Sequence, residues 1–388
     1  MLELVALLLP LAAASGWYIA RRDMRKQQRR QRPDLSSDYF KGLNFLLNEQ
    51  PDKAIEVFIQ MLEVDSETVE THLALGNLFR RRGEVDRAIR IHQNIIARPT
   101  LSRNQRSLAL YELGQDYMRA GLLDRAENLF QELIELGEYK PEALRQLLDV
   151  YEQEKDWSKA VDTARSYEFV TGKDTHSVIA HYYCEQAEVA MSRHDMRAAQ
   201  QAIKKALSVD RACVRASLLR GQIESSAGDC TAAIRAYRTI ESQDAGYISE
   251  AVAPLEKCYR AIGRLAEYRH YLEGLLEQYG GVTVMLALSE LIKAEQGERA
   301  AIQFIIEQLR KRPSVRGLER LVEYTMHNTE GPARENMQIL SDLVTKLSTL
   351  KPLYKCQACG FEAKAMHWHC PSCKRWNSVK PLQDIVEN

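Results

Sequence analysis

Cys356, Cys359, Cys370 and Cys373 stand as two C-x2-C pairs separated by ten residues near the carboxyl end of a 388-residue chain. Two residues between cysteines let both sulfurs of one tight turn face a single ion while backbone amides turn toward those sulfurs. Gly360, directly after the first pair, supplies the backbone freedom such a turn needs. Two knuckles of this kind facing each other make a tetrahedral four-sulfur cage, closed to substrate and suited to one ion of zinc or iron. A ribbon this small cannot fold on apolar burial alone, so the free energy of metal binding is its folding free energy. His367 and His369 lie between the pairs and offer ring nitrogens, but four thiolates already fill a tetrahedral sphere. Tyr354, Phe361, Trp368 and Trp376 are expected to cover the site and pack it against the last helices of the chain. Lys374, Arg375 and Lys380 give it basic neighbours without the extended basic face and stacking platform of a nucleic-acid binder.

The other cysteines, Cys184, Cys213, Cys230 and Cys258, are scattered through helical patterns and are read as small buried apolar residues. Cysteines grouped for a metal rather than for disulfides place this part of the chain in a reducing compartment. The sequence contains no H-E-x-x-H, G-x-S-x-G, G-x-x-x-x-G-K-[ST] or G-x-G-x-x-G, so the expectation is a binding protein and not an enzyme.

A long scaffold must position the knuckles. Lys and Arg total 53 against 53 Asp and Glu, and only 7% of residues are aromatic, the balance of stacked helices and not of β-sheets. A net charge of zero argues against a chain built wholly for nucleic acid. Small residues fall into register near every 34 positions, the period of the tetratricopeptide repeat. One unit reads Gly42, Ala54 and Phe58, and the next Gly76, Phe79, Gly83 and Ala88. After a four-residue insertion at 99–102 a third reads Gly114, Tyr117, Gly121, Ala126 and Phe130. Weaker units follow through Tyr151 and Ala160, Ala187 and Ala199, Gly221, Ala233 and Tyr237, then Tyr259, Gly263 and Leu272. Two more helix pairs, near 282–312 and 315–350, keep apolar periodicity but little of the pattern. Small residues let the two helices of a unit approach, an aromatic fills the space beside them, and each pair leaves an apolar face for the next to cover. The fold class is therefore all-α, a tetratricopeptide-repeat superhelix over 35–350 with a concave binding groove and a small metal ribbon at 351–388.

The first residues differ in kind. Residues 1–20 carry one charge, Glu3, over the length a helix needs to cross a bilayer, with Trp17 and Tyr18 at the far end. Residues 21–34 form a basic linker with Arg21, Arg22, Arg25, Lys26, Arg29, Arg30 and Arg32. Basic residues on the carboxyl side only orient a single transmembrane helix with the rest of the chain in the cytoplasm. A cleaved export signal would need its basic segment ahead of the apolar run.

Anchor, repeats including the stretch LGNLFRRRGEVDRAIRIHQ (75–93), and a knuckle ending CPSCKRW together resemble the lipopolysaccharide assembly protein B family of Gram-negative bacteria, over essentially the whole chain. The resemblance implies a rubredoxin-like metal domain with Cys356, Cys359, Cys370 and Cys373 as ligands, and iron as the metal. It implies a non-enzymatic inner-membrane adaptor that works with the AAA+ protease FtsH to promote degradation of the UDP-3-O-acyl-N-acetylglucosamine deacetylase. An inner-membrane sensor of lipopolysaccharide would oppose it. Two other readings stand beside this one: a scaffold gathering synthesis and transport proteins without governing turnover, and a redox or iron sensor.

Overall fold

The computed structural model describes residues 37–48, 50, 53–58, 69–99, 101–327 and 330–382. The expected anchor at 1–20 and basic linker at 21–34 lie outside the described residues, among which no helix is long and apolar enough to cross a membrane. The chain divides into two compact units between Gln146 and Leu147.

The first unit contains α1 (Ser37–Leu47), a helical segment at 53–58, α2 (Val69–Arg82), α3 (Val85–Ile96), α4 (Arg103–Ala120), α5 (Leu123–Leu136) and the start of α6 (Lys140–Glu154). These are the expected hairpins, and their glycines do the expected packing. A Cβ on Gly42 would stand 2.7 Å from the Phe58 ring, and one on Gly114 2.6 Å from Phe130, so only glycine admits the aromatic of the second helix. The second hairpin departs from the pattern. His92 fills the aromatic position against Gly76, fully buried, with Nδ1 2.5 Å from Asp116 Oδ2. Arg80 bonds the other oxygen of Asp116 at 2.9 Å and Glu112 at 2.7 Å, which compensates the buried charges. Ser102, the last inserted residue, closes a capping box with Gln105 at the start of α4.

The second unit continues through α7 (Trp157–Thr171), α8 (His176–Ser192), α9 (Met196–Val209), α10 (Val214–Ser226), α11 (Cys230–Gln243), a short 3-10 turn (Ala245–Tyr247), α12 (Ile248–Ala261) and α13 (Leu265–Gln278). The two weakly patterned pairs are hairpins as well: α14 (Val282–Gln296) with α15 (Glu298–Lys311), and α16 (Val315–His327) with α17 (Pro332–Leu350). A local device recurs at the hairpin turns. Lys155, His194 and Gly228 adopt positive φ, and the next residue, Asp156, Asp195 or Asp229, caps the second helix by accepting the N–H three positions on. A continuous core runs from Val214 to Tyr324, with Tyr247, Tyr268 and Tyr324 fully buried.

Cys184, Cys213 and Cys258 are core residues as expected. Cys230 is not. It opens α11 directly after the Asp229 cap, a position that leaves it half-exposed.

Beyond α17 the chain forms a three-stranded antiparallel sheet of order β2-β1-β3, from β1 (Tyr354–Cys356), β2 (Glu362–Ala363) and β3 (Val379–Pro381). Tyr354 pairs with Ala363 on one side and Pro381 on the other, and Cys356 with Val379. The sheet's own core is small: Cys356, Cys370 and Val379, flanked by Tyr354, Phe361, Met366 and Cys373.

Candidate metal centre and its docking face

Each C-x2-C pair builds the same turn. In the first, the Cys356 N–H donates to the Phe361 carbonyl at 2.7 Å and the Gly360 N–H to the Cys356 carbonyl at 2.9 Å. In the second, the Cys370 N–H donates to the Arg375 carbonyl at 3.0 Å and the Lys374 N–H to the Cys370 carbonyl at 2.9 Å. The residue after the second cysteine has positive φ in both, +78° at Gly360 and +56° at Lys374. Glycine reaches that conformation freely, whereas lysine there is held by the turn's hydrogen bonds.

The four sulfurs converge. Cys356 Sγ lies 3.7 Å from Cys373 Sγ, and Cys359 Sγ 3.8 Å from Cys370 Sγ. A metal bonded to four thiolates at ~2.3 Å sets neighbouring sulfurs ~3.8 Å apart in a tetrahedron, so the donor set fits one ion of zinc or iron. All four ligand atoms fall within 4.8 Å of one another. Burial opposes the Cys356 thiolate, but the Ser378 hydroxyl and the N–H groups of Ala358 and Cys359 outweigh it and hold the thiol down at about 6. The Cys359 thiol is also lowered, chiefly by the Phe361 N–H. At Cys373 the Arg375 N–H favours the thiolate, yet burial and three neighbouring sulfurs push the thiol up to about 11. Four thiolates repel one another without a cation between them, which is why metal and fold are linked.

Neither histidine joins the cluster. His369 Nε2 lies 2.9 Å from the Lys374 carbonyl and its ring stacks on Trp376, centroids 4.5 Å apart. His367 meets Phe361 edge-on. A second grouping, Glu168, Asp174 and His176, brings ligand-type atoms together on the surface, where His176 bonds both carboxylates.

The ribbon meets the last helices in part: Pro381 and Leu382 share a cleft with Thr283 and Val284 of α14 and Arg316 of α16, while its aromatic residues, against expectation, pack elsewhere. These reach back 104 to 224 positions, onto α6, α8 and α12, the first helices of three earlier hairpins. The Trp376 indole N–H donates to Glu152 Oε1 of α6 at 2.8 Å, the oxygen that also accepts the Tyr182 hydroxyl of α8 at 2.6 Å. The Trp376 ring meets Trp157 and Tyr182 edge-on and stacks on His181, and Trp368 lies between His181 and Tyr247. The Tyr247 hydroxyl lies 3.0 Å from the Val379 carbonyl and 3.1 Å from Asn377 Oδ1. Tyr354 donates to Glu250 of α12 at 3.0 Å, and Lys380 pairs with Asp244 at 2.8 Å. The physical reason is polar: buried indole and phenol groups need acceptors, and Glu152 and Glu250 supply them. Phe361 stays within the ribbon. Burial, with the Arg215 and His369 charges as smaller contributions, lowers the His181 imidazole to about 3, so it enters the stack neutral.

Comparison with known proteins agrees with both parts. A rubredoxin metal binding domain model matches residues 354–381, and tetratricopeptide repeat models match 71–104, 111–173 and 184–248. Lipopolysaccharide assembly protein B of Escherichia coli is 42% identical over 387 residues, 99% of either chain. The protein of the same name from Haemophilus influenzae is 36% identical over 398 residues, covering both chains fully. Among solved structures, a tetratricopeptide repeat protein from Parabacteroides merdae is similar at 15% identity and a TM-score of 0.26, over 79% of this chain and 97% of that one. On its full-length identity to these relatives, the chain belongs to the lipopolysaccharide assembly protein B family.

Proposed function

We propose that this chain is a non-enzymatic adaptor in lipopolysaccharide assembly, held at the inner membrane by residues 1–20 with its repeats and ribbon in the cytoplasm. The observation that carries the reading is the closed coordination sphere: four sulfurs fill a tetrahedron and leave no position for substrate. The metal then holds a shape, and the work falls to the hairpin surfaces, which in repeat proteins bind other chains. On this reading the adaptor brings the UDP-3-O-acyl-N-acetylglucosamine deacetylase to the protease FtsH, and an inner-membrane lipopolysaccharide sensor relieves that delivery. Iron occupies the ribbon, and visible absorption from iron–thiolate charge transfer tests that against spectrally silent zinc. The deciding experiment is the half-life of the deacetylase after translation is blocked. Deletion of this gene lengthens it severalfold, and an unchanged half-life sinks the adaptor reading.

The word assembly in the relatives' names favours a second reading, a scaffold that gathers synthesis and transport proteins without controlling turnover. In-cell crosslinking separates the two: a scaffold captures those proteins and never the protease.

A further inference from the structure

The last helix of the array turns its stronger apolar face outward. On α17 the residues withdrawn from solvent are Met337, Ser341, Val344 and Ser348, and of these Val344 alone is fully buried. Thr345 bonds Glu319 of α16, Oγ1 to Oε1 3.1 Å. Solvent meets Ile339 at 60% exposure, Leu340 at 40%, Leu343 at 54%, Leu347 at 56% and Leu350 at 79%. The end of a repeat array ordinarily presents polar residues, because no further hairpin follows to cover it. A contiguous apolar strip there marks an interaction surface.

The spacing says what covers it. Leu340, Leu343, Leu347 and Leu350 advance by three, four and three residues, the a and d positions of two heptads, a seam that another α-helix fills with knobs in holes. The seam is also self-complementary. In an antiparallel pair centred on Thr345, Leu340 meets Leu350 of a second copy and Leu343 meets Leu347, so one stretch of sequence yields four leucine layers. A two-fold interface requires that property of any surface that forms it. The strip's five exposed residues offer roughly 600 Å² per copy, against the ~800 Å² per partner of a standard interface. Two chains of net charge zero do not repel at long range. A helix that lies on lipid carries a cationic polar face. Here Arg334 and Lys346 are balanced by Glu335 and Asp342.

We infer that α17 is a homodimer seam, in which two copies pair antiparallel through Leu340, Leu343, Leu347 and Leu350. The test is photocrosslinking in cells that express the full chain, with benzoylphenylalanine in place of Leu347 or Leu350. The expected product has twice the chain mass, with residue 347 joined near Leu343 of the other copy and residue 350 joined near Leu340. Leu343→Asp with Leu347→Asp reduces the adduct from position 350 at least tenfold. Both positions are exposed in the single chain, so the helical circular dichroism of the variant stays unchanged. Links from 347 to 347 and from 350 to 350 would mean parallel pairing and overturn the seam as drawn. Adducts confined to lipid, to a different protein or to residues 1–36 of the same chain overturn the dimer, as does a folded chain that gives no adduct.

Discussion

Glu152 Oε1 accepts from Tyr182 and from Trp376, joining two hairpins and the ribbon at one oxygen. Its removal orphans two buried donors, each at a cost of about 1–3 kcal/mol. Glu152→Ala therefore lowers the urea midpoint markedly, and Glu152→Gln, which retains a carbonyl acceptor, recovers much of the loss. At the metal site, Cys370→Ser removes a fully buried ligand, and a three-sulfur remnant does not fold the ribbon. The purified variant contains less than a tenth of the wild-type metal by elemental analysis, and limited proteolysis cuts within 351–388. How legible these residues were in the sequence differs for a physical reason. The cysteines were legible because ligand spacing within a turn is a local property. Glu152 was not, since its partner in the ribbon lies 224 positions away and no local pattern distinguishes it from a solvated helix carboxylate.

Elements were legible where the helix period is strong, and the two poorly patterned pairs at 282–311 and 315–350 also proved to be hairpins. The aromatic position of the second hairpin was obscured because His92 occupies it, a polar ring whose burial depends on Asp116, 24 positions away in sequence but adjacent in the fold. Strand β1 offers a pH test of docking. Burial, reinforced by the Glu250 carboxylate, pushes the Tyr354 phenol up to about 12, and burial with Asp244 raises Tyr247 as well. An unfolded chain gives up a tyrosine proton near pH 10. Between about pH 10 and 12 the folded chain thus holds more protons than the unfolded one, and stability falls as pH rises through that window. Tyr354→Phe shallows this alkaline loss in denaturant midpoints measured from pH 9 to 12, and an unchanged slope would show that the phenol is not held as described.

At the scale of the molecule, a stacked array is stabilised mainly between nearest neighbours, so distant hairpins ordinarily melt with little reference to one another. The ribbon changes that within the second unit, because its contacts run from Glu152 to Glu250 and its own fold requires metal. Chelation is expected to lower the melting temperature read from helical circular dichroism at 222 nm, although the metal touches no helix. A ribbon melting alone, with the helical transition unmoved, would refute the coupling. An open stack of hairpins behaves as a spring whose pitch yields to whatever it grips. Tied across its coils by Trp376, Tyr247 and Tyr354, this stretch becomes a braced frame. Metal supply then sets its stiffness, and with it how far the span between docking positions can be stretched to fit a partner.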